Sequence, residues 1–129
     1  MQSNEQLLKK LDEIINNKDY TNNDNLKRYV AQDIKENAEQ YNDNGVMNYL
    51  KDLQQSGCAS GIVSELIYYK DTHAFYDKYY YEIEDMRNEY EENINEPLKI
   101  KSDLKNFFAW FAYEETAYQI ALNDLNLDI

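Results

Sequence analysis

Apolar residues recur at helical spacing through most of the chain. Leu7, Leu8, Leu11, Ile14 and Ile15 predict a short amphipathic helix closed by Asn16-Asn17. Residues 18–25 have turn composition and end in several N-cap residue types. A second helix follows, with Leu26, Val30 and Ile34 on one face and Tyr29 and Tyr41 flanking it. Asp43-Asn44-Gly45 breaks the pattern, and a third helix carries Val46, Leu50 and Leu53 inward. Ile62, Val63, Leu66 and Ile67 predict a short apolar helix. From Asp71 or Thr72 to about Glu92 one long helix is expected, with Phe75, Tyr79, Ile83, Met86 and Tyr90 inward. The piece LKIK after Pro97 alternates and reads as an extended connector or an edge pairing.

The stretch Ser102–Leu122 is the expected centre of the fold. Leu104, Phe107, Phe108, Phe111, Tyr118 and Leu122 form one apolar stripe. Trp110 and Ala109, Ala112, Ala117 and Ala121 carry apolar character around much of the cylinder, the mark of a buried helix. Ser102 suits the N-cap, and Asp103 suits the positive end of the helix dipole. The final residues, NDLNLDI, are expected to fray or to pack one leucine. With three glycines and one proline in 129 residues, short connections between helices are the natural reading. The expected fold is all-α: a compact single-domain bundle of about five or six helices around a buried aromatic C-terminal helix.

Charge narrows the classes of partner. Thirteen basic residues stand against 25 acidic ones, a net charge of −12. Such a chain is repelled by nucleic acid and attracted to basic surfaces, so direct DNA or RNA binding is not expected. Cys58 alone supports neither an intramolecular disulfide nor a CxxC metal site. The polar N-terminus has no signal-peptide core, and no stretch is apolar enough to span a membrane. A cytoplasmic location in a bacterial host cell is the expectation. The cluster Ser56-Gly57-Cys58-Ala59-Ser60-Gly61 lacks the spacing of a phosphate-binding loop, and close helix packing is its favoured use.

Three features carry candidate chemistry. His73 and Asp77, four apart on one helix, combine with Glu114 or Glu115 as a possible polar core site. Glu115 falls on the apolar stripe, where a carboxylate is costly unless paired, hydrogen-bonded or protonated. One reading is a small metal-binding protein or an acid–base enzyme. The plainer one is a structural hydrogen-bond network with tyrosines or lysines. A single histidine excludes HExxH and paired ExxH motifs, and no nucleophile or oxyanion donor is recognisable. No catalytic residue, metal or cofactor is therefore assigned. The third feature is the acidic, tyrosine-bearing surface formed by Tyr80, Tyr81, Glu82, Glu84, Asp85, Glu89, Glu91 and Glu92. It reads either as a solvated face or as a row of carboxylates that imitates a phosphate backbone and enters a basic channel. Exposed tyrosines add contact area suited to interfaces, those of a homodimer included.

The run SGCASGIVSELIYYKDTHAFYDKYYYEIEDMRNEYEE, followed by LKIKSDLKNFFAWFAYEETAYQIA, resembles an uncharacterised family of small proteins of phages, prophages and plasmids in low-GC bacteria. The resemblance rests on Gly57, Ser60, Gly61, Tyr68, Tyr69, Asp71, Thr72, His73, Phe75, Tyr76, Trp110, Phe111, Glu114 and Glu115. It divides the single domain 1–129 into variable N-terminal helices over 1–55 and a family-like core over 56–122. It implies a context and no activity. By analogy of size and charge with anti-CRISPR and anti-restriction proteins, the expected function is anti-defence. The partner would be a bacterial defence nuclease or CRISPR effector, with the acidic surface in its nucleic-acid channel. A structural or regulatory phage protein is the further alternative.

Overall fold

A computed structural model describes residues 3–17, 25–55, 72–94 and 104–128. The described residues form helices α1 (Asn4–Ile15), α2 (Asn25–Ala38), α3 (Gly45–Gln55), α4 (Thr72–Lys78), α5 (Tyr80–Ile94) and α6 (Leu104–Gln119). A π-helical turn, Ile120–Asp124, extends α6. The fold is an all-α bundle of six helices among the described residues. The expectations for the 56–61 cluster, the 62–67 helix, LKIK and the Ser102-Asp103 cap lie outside the described residues.

Helix α1 starts at a capping box: Ser3 Oγ accepts from the Gln6 backbone N–H, and Gln6 Oε1 accepts from the Ser3 N–H. Two otherwise unpaired backbone donors are satisfied in this way. Leu7, Leu11 and Ile14 are buried, and they pack toward Leu26, Val30, Ala31 and Ile34 of α2. Lys35 of α2 also reaches Asp12 of α1 at 2.6 Å. Between α2 and α3 the chain turns through Asn44, whose φ of 46° is left-handed and tolerated by asparagine. Gly45 follows against the end of α2. A Cβ there would stand 2.1 Å from the Ala38 carbonyl oxygen, so the approach of α3 to α2 requires glycine. Asn4 Oδ1 of α1 accepts from the Val46 N–H and ties the start of α3 to the start of α1.

Two expectations change. The helix foreseen from residue 72 to about 92 is interrupted by a turn at Tyr79. The Tyr79 N–H still donates to the Phe75 carbonyl, and Tyr79 accepts from Ile83, so helical bonding is kept across the turn. The inward stripe survives: Phe75, Tyr79 and Ile83 are buried, with Met86 and Tyr90 packed at the margin.

The buried face of α6 is rotated from the predicted one. Phe108, Ala109, Ala112, Tyr113, Thr116 and Ala117 are buried, continued by Ile120 and Ala121. Tyr118, predicted inward, is 41% exposed, and Phe111 and Leu122 are half-buried. Alanines face the core because α6 must lie close to α2, α4 and α5 at once. At the C-terminus the packing alternative holds, with two leucines in place of one. Leu125 and Leu127 are buried, and their N–H groups bond the Ile120 and Ala121 carbonyls.

Candidate functional site

Two tyrosines and one carboxylate join three helices in the core. The Tyr49 and Tyr113 hydroxyls lie 2.7 Å apart, and the Tyr113 hydroxyl donates to Asp33 Oδ2. Burial, then Tyr49 and Asp33, push the Tyr113 phenol well above its ordinary value. This hydrogen-bond chain, two neutral phenols ending on one carboxylate, ties α2, α3 and α6 together. The sequence pattern hid it because both tyrosines count as apolar in a helical stripe.

Against the outer side of α6 lies a cavity of about 380 Å³. Leu50, Leu53 and Gln54 of α3 form one wall, and Phe111, Glu114, Glu115, Ala117 and Tyr118 of α6 form the other. Glu115 accepts from Gln119 Nε2 at 3.1 Å. Glu114 differs: its Oε2 is shielded from solvent and accepts no hydrogen bond from the described residues. Burial, and secondarily the Glu115 charge, raise the Glu114 carboxyl above its ordinary range. Glu115 was the carboxylate expected to suffer core burial. Both carboxylates are half-buried, and the shielded oxygen belongs to Glu114, toward which the buried face of α6 is rotated.

Of the polar core site, Asp77 is exposed on α4, and the side chain of His73 lies outside the described residues. Helix α4 packs on α6, the helix of Glu114 and Glu115. Among the described residues no group of three or more histidine, cysteine, aspartate or glutamate side chains could hold a metal ion. No described helix is long and apolar enough to cross a membrane.

The acidic residues of α5 divide into two sets. Glu84 accepts from the Tyr76 hydroxyl and lies 3.5 Å from Arg87 Nη1, while Glu91 lies 3.2 Å from Arg87 Nε. Burial and Glu84 push the Tyr76 phenol up to about 12. Glu82 turns toward α2 and the end of α6, lining a second cavity with Lys27, Met86 and Asp124. The remainder faces solvent. Tyr81, Asp85, Asn88, Glu89 and Glu92 are exposed at steps of four, three, one and three, which is one helical face. Tyr81 is 77% exposed, and Tyr80 beside it is 45% exposed with ring edges on Tyr76 and Tyr81. Arg87, the basic residue of α5, is spent on Glu84 and Glu91, and among the described residues no ion pair involves Asp85, Glu89 or Glu92.

Residues 23–127 match the family model described as Domain of unknown function (DUF7222). The chain belongs to this family. The DUF7222 match takes in α2 and α3 as well as the region from residue 56 onward. No curated protein and no solved structure matches the chain.

Proposed function

We propose that this DUF7222 protein is a non-enzymatic binding protein of a phage or mobile element that inhibits a bacterial defence nuclease, of the CRISPR-effector type. The outer face of α5 enters a basic nucleic-acid channel and excludes the substrate. The observation that carries this reading is the segregation on α5: Glu84 and Glu91 share the charge of Arg87, whereas Asp85, Glu89 and Glu92 stand in line beside exposed Tyr81. Carboxylates three and four residues apart on one helix follow one another every ~4.5–6 Å, a linear row of negative charge that is sparser than the one charge per about 3.4 Å of a nucleic-acid strand. The net charge of −12 adds long-range attraction to a basic channel. Tyr80 and Tyr81 supply rigid amphipathic contact area next to the charges.

The test is protection of infecting phage. A low-GC host with active CRISPR and restriction systems expresses either the native chain or the Asp85→Lys, Glu89→Lys, Glu92→Lys variant, and plaque yield is compared. The native chain raises plaque yield and the triple variant does not, with helical ellipticity unchanged. Equal protection by both chains would reject the acidic-face mechanism, and no protection by the native chain would reject the anti-defence reading.

A further inference from the structure

The cavity between α3 and α6 is separate from the α5 stripe in every residue that lines it and has a different chemistry. Its volume falls in the range of about 300–1,000 Å³ common to ligand pockets. Leu50, Leu53, Phe111 and Ala117 make most of the lining apolar. Two carboxylates interrupt it. Glu115 is already hydrogen-bonded to Gln119, whereas half-buried Glu114 has one shielded oxygen, Oε2, with no donor among the described residues. A desolvated carboxylate oxygen without a donor is unfavourable for the fold. An apolar ligand would leave that cost in place, and an anion would meet two like charges. An apolar stem ending in a cation satisfies both halves of the lining. Tyr118 lines the same wall, and a tyrosine ring beside a cation adds attraction through its π system.

We propose that the α3–α6 cavity is a binding site for an alkylammonium group, its stem against Leu50, Leu53 and Phe111 and its head donating to Glu114 and Glu115. A lysine side chain and a free aliphatic amine both present this group. About 380 Å³ corresponds to the liquid volume of roughly a dozen waters, ample for a stem of four or five carbons. Glu114 is the principal acceptor, and Glu115 supplies the second charge. The site makes no use of Asp85, Glu89 or Glu92, so it stands or falls independently of the nuclease reading.

Isothermal titration of the full chain with n-pentylammonium chloride, Nα-acetyl-lysine amide and 1-pentanol decides the matter. The account expects saturable binding of n-pentylammonium, and binding of 1-pentanol weaker by about tenfold or more, a difference near 1.4 kcal/mol. Binding of acetyl-lysine amide as well assigns the pocket to a protein side chain, and its failure beside n-pentylammonium assigns it to a free amine. Glu114→Gln abolishes the n-pentylammonium isotherm, and Glu115→Gln, a more exposed change that keeps the fold, weakens it. Asp85→Asn leaves it unchanged. Equal affinity for 1-pentanol and n-pentylammonium, no binding of either amine, or full binding by both glutamine variants overturns the proposal.

Discussion

Gly45 has little tolerance for change, because its missing side chain lets α3 begin against the Ala38 carbonyl. The atom that a Cβ would meet is backbone and cannot swing aside. Gly45→Ala should therefore cost about 1–3 kcal/mol, as overpacking does, measured by urea unfolding. Glu114 works in the opposite sense. Burial and Glu115 hold its carboxyl above the ordinary 4.5, so ionisation costs the folded chain more than the unfolded one. That penalty is present at neutral pH and disappears as pH falls below 4.5. Glu114→Gln should raise Tm at pH 7 and lose most of that gain near pH 4. At the alkaline end Tyr76 and Tyr113 matter. Their raised phenol values mean stability is intact below the ordinary 10.0 and declines above it, through about 12 for Tyr76. Tyr76→Phe and Tyr113→Phe should each flatten the fall in unfolding free energy between pH 9 and 11. At neutral pH the same Tyr113→Phe change removes its hydrogen bonds to Tyr49 and Asp33 and should cost about 1–3 kcal/mol.

At the scale of elements, the rotation of α6 separates what the sequence displays from what it conceals. Leu7, Leu11, Val30, Ile34, Val46 and Leu50 are buried where helical periodicity puts them, since each of those helices has a single apolar stripe. Helix α6 is apolar nearly all round, and the larger side chains at Phe111 and Tyr118 bias the reading toward their side. The structure turns the small side inward, because Ala109, Ala112 and Ala117 allow the close approach to α2 that a stripe of rings would block. The same rotation explains why the strained carboxylate is Glu114, and why its cavity partners on α3 had no signal in their own spacing. The Asp33–Tyr113–Tyr49 network was likewise illegible, since it joins residues up to 80 positions apart. A paired substitution tests the register. Ala112→Leu should cost about 1–3 kcal/mol through overpacking. Tyr118→Ala, on the half-exposed side, should remain within about 0.5–1 kcal/mol of the native chain.

For the molecule as a whole, the surplus of acid is organised locally. Arg87 draws Glu84 and Glu91 together, Lys35 holds Asp12, and Lys27 holds Asp124 at 2.9 Å. Such pairs at the surface add little to stability. Their consequence is spatial: they offset charge at the half-buried margins of the helices and leave Asp85, Glu89 and Glu92 projecting from α5 beside Tyr81. The acidic surface foreseen as eight residues of α5 thus contracts to a narrower stripe with Tyr80 at its end. Association through that stripe should weaken steeply with salt, because the charges concerned are solvent-facing and screened within about 8 Å at physiological ionic strength.

The most direct measurement is the rescue of phage by the native chain against the Asp85→Lys, Glu89→Lys, Glu92→Lys variant in a host with active defence nucleases, alongside a Glu84→Gln control. The account predicts rescue by the native chain, loss of rescue in the triple variant, and retention of rescue in Glu84→Gln, whose carboxylate is engaged inside the bundle by Tyr76 and Arg87. Full rescue by a well-folded triple variant would contradict it.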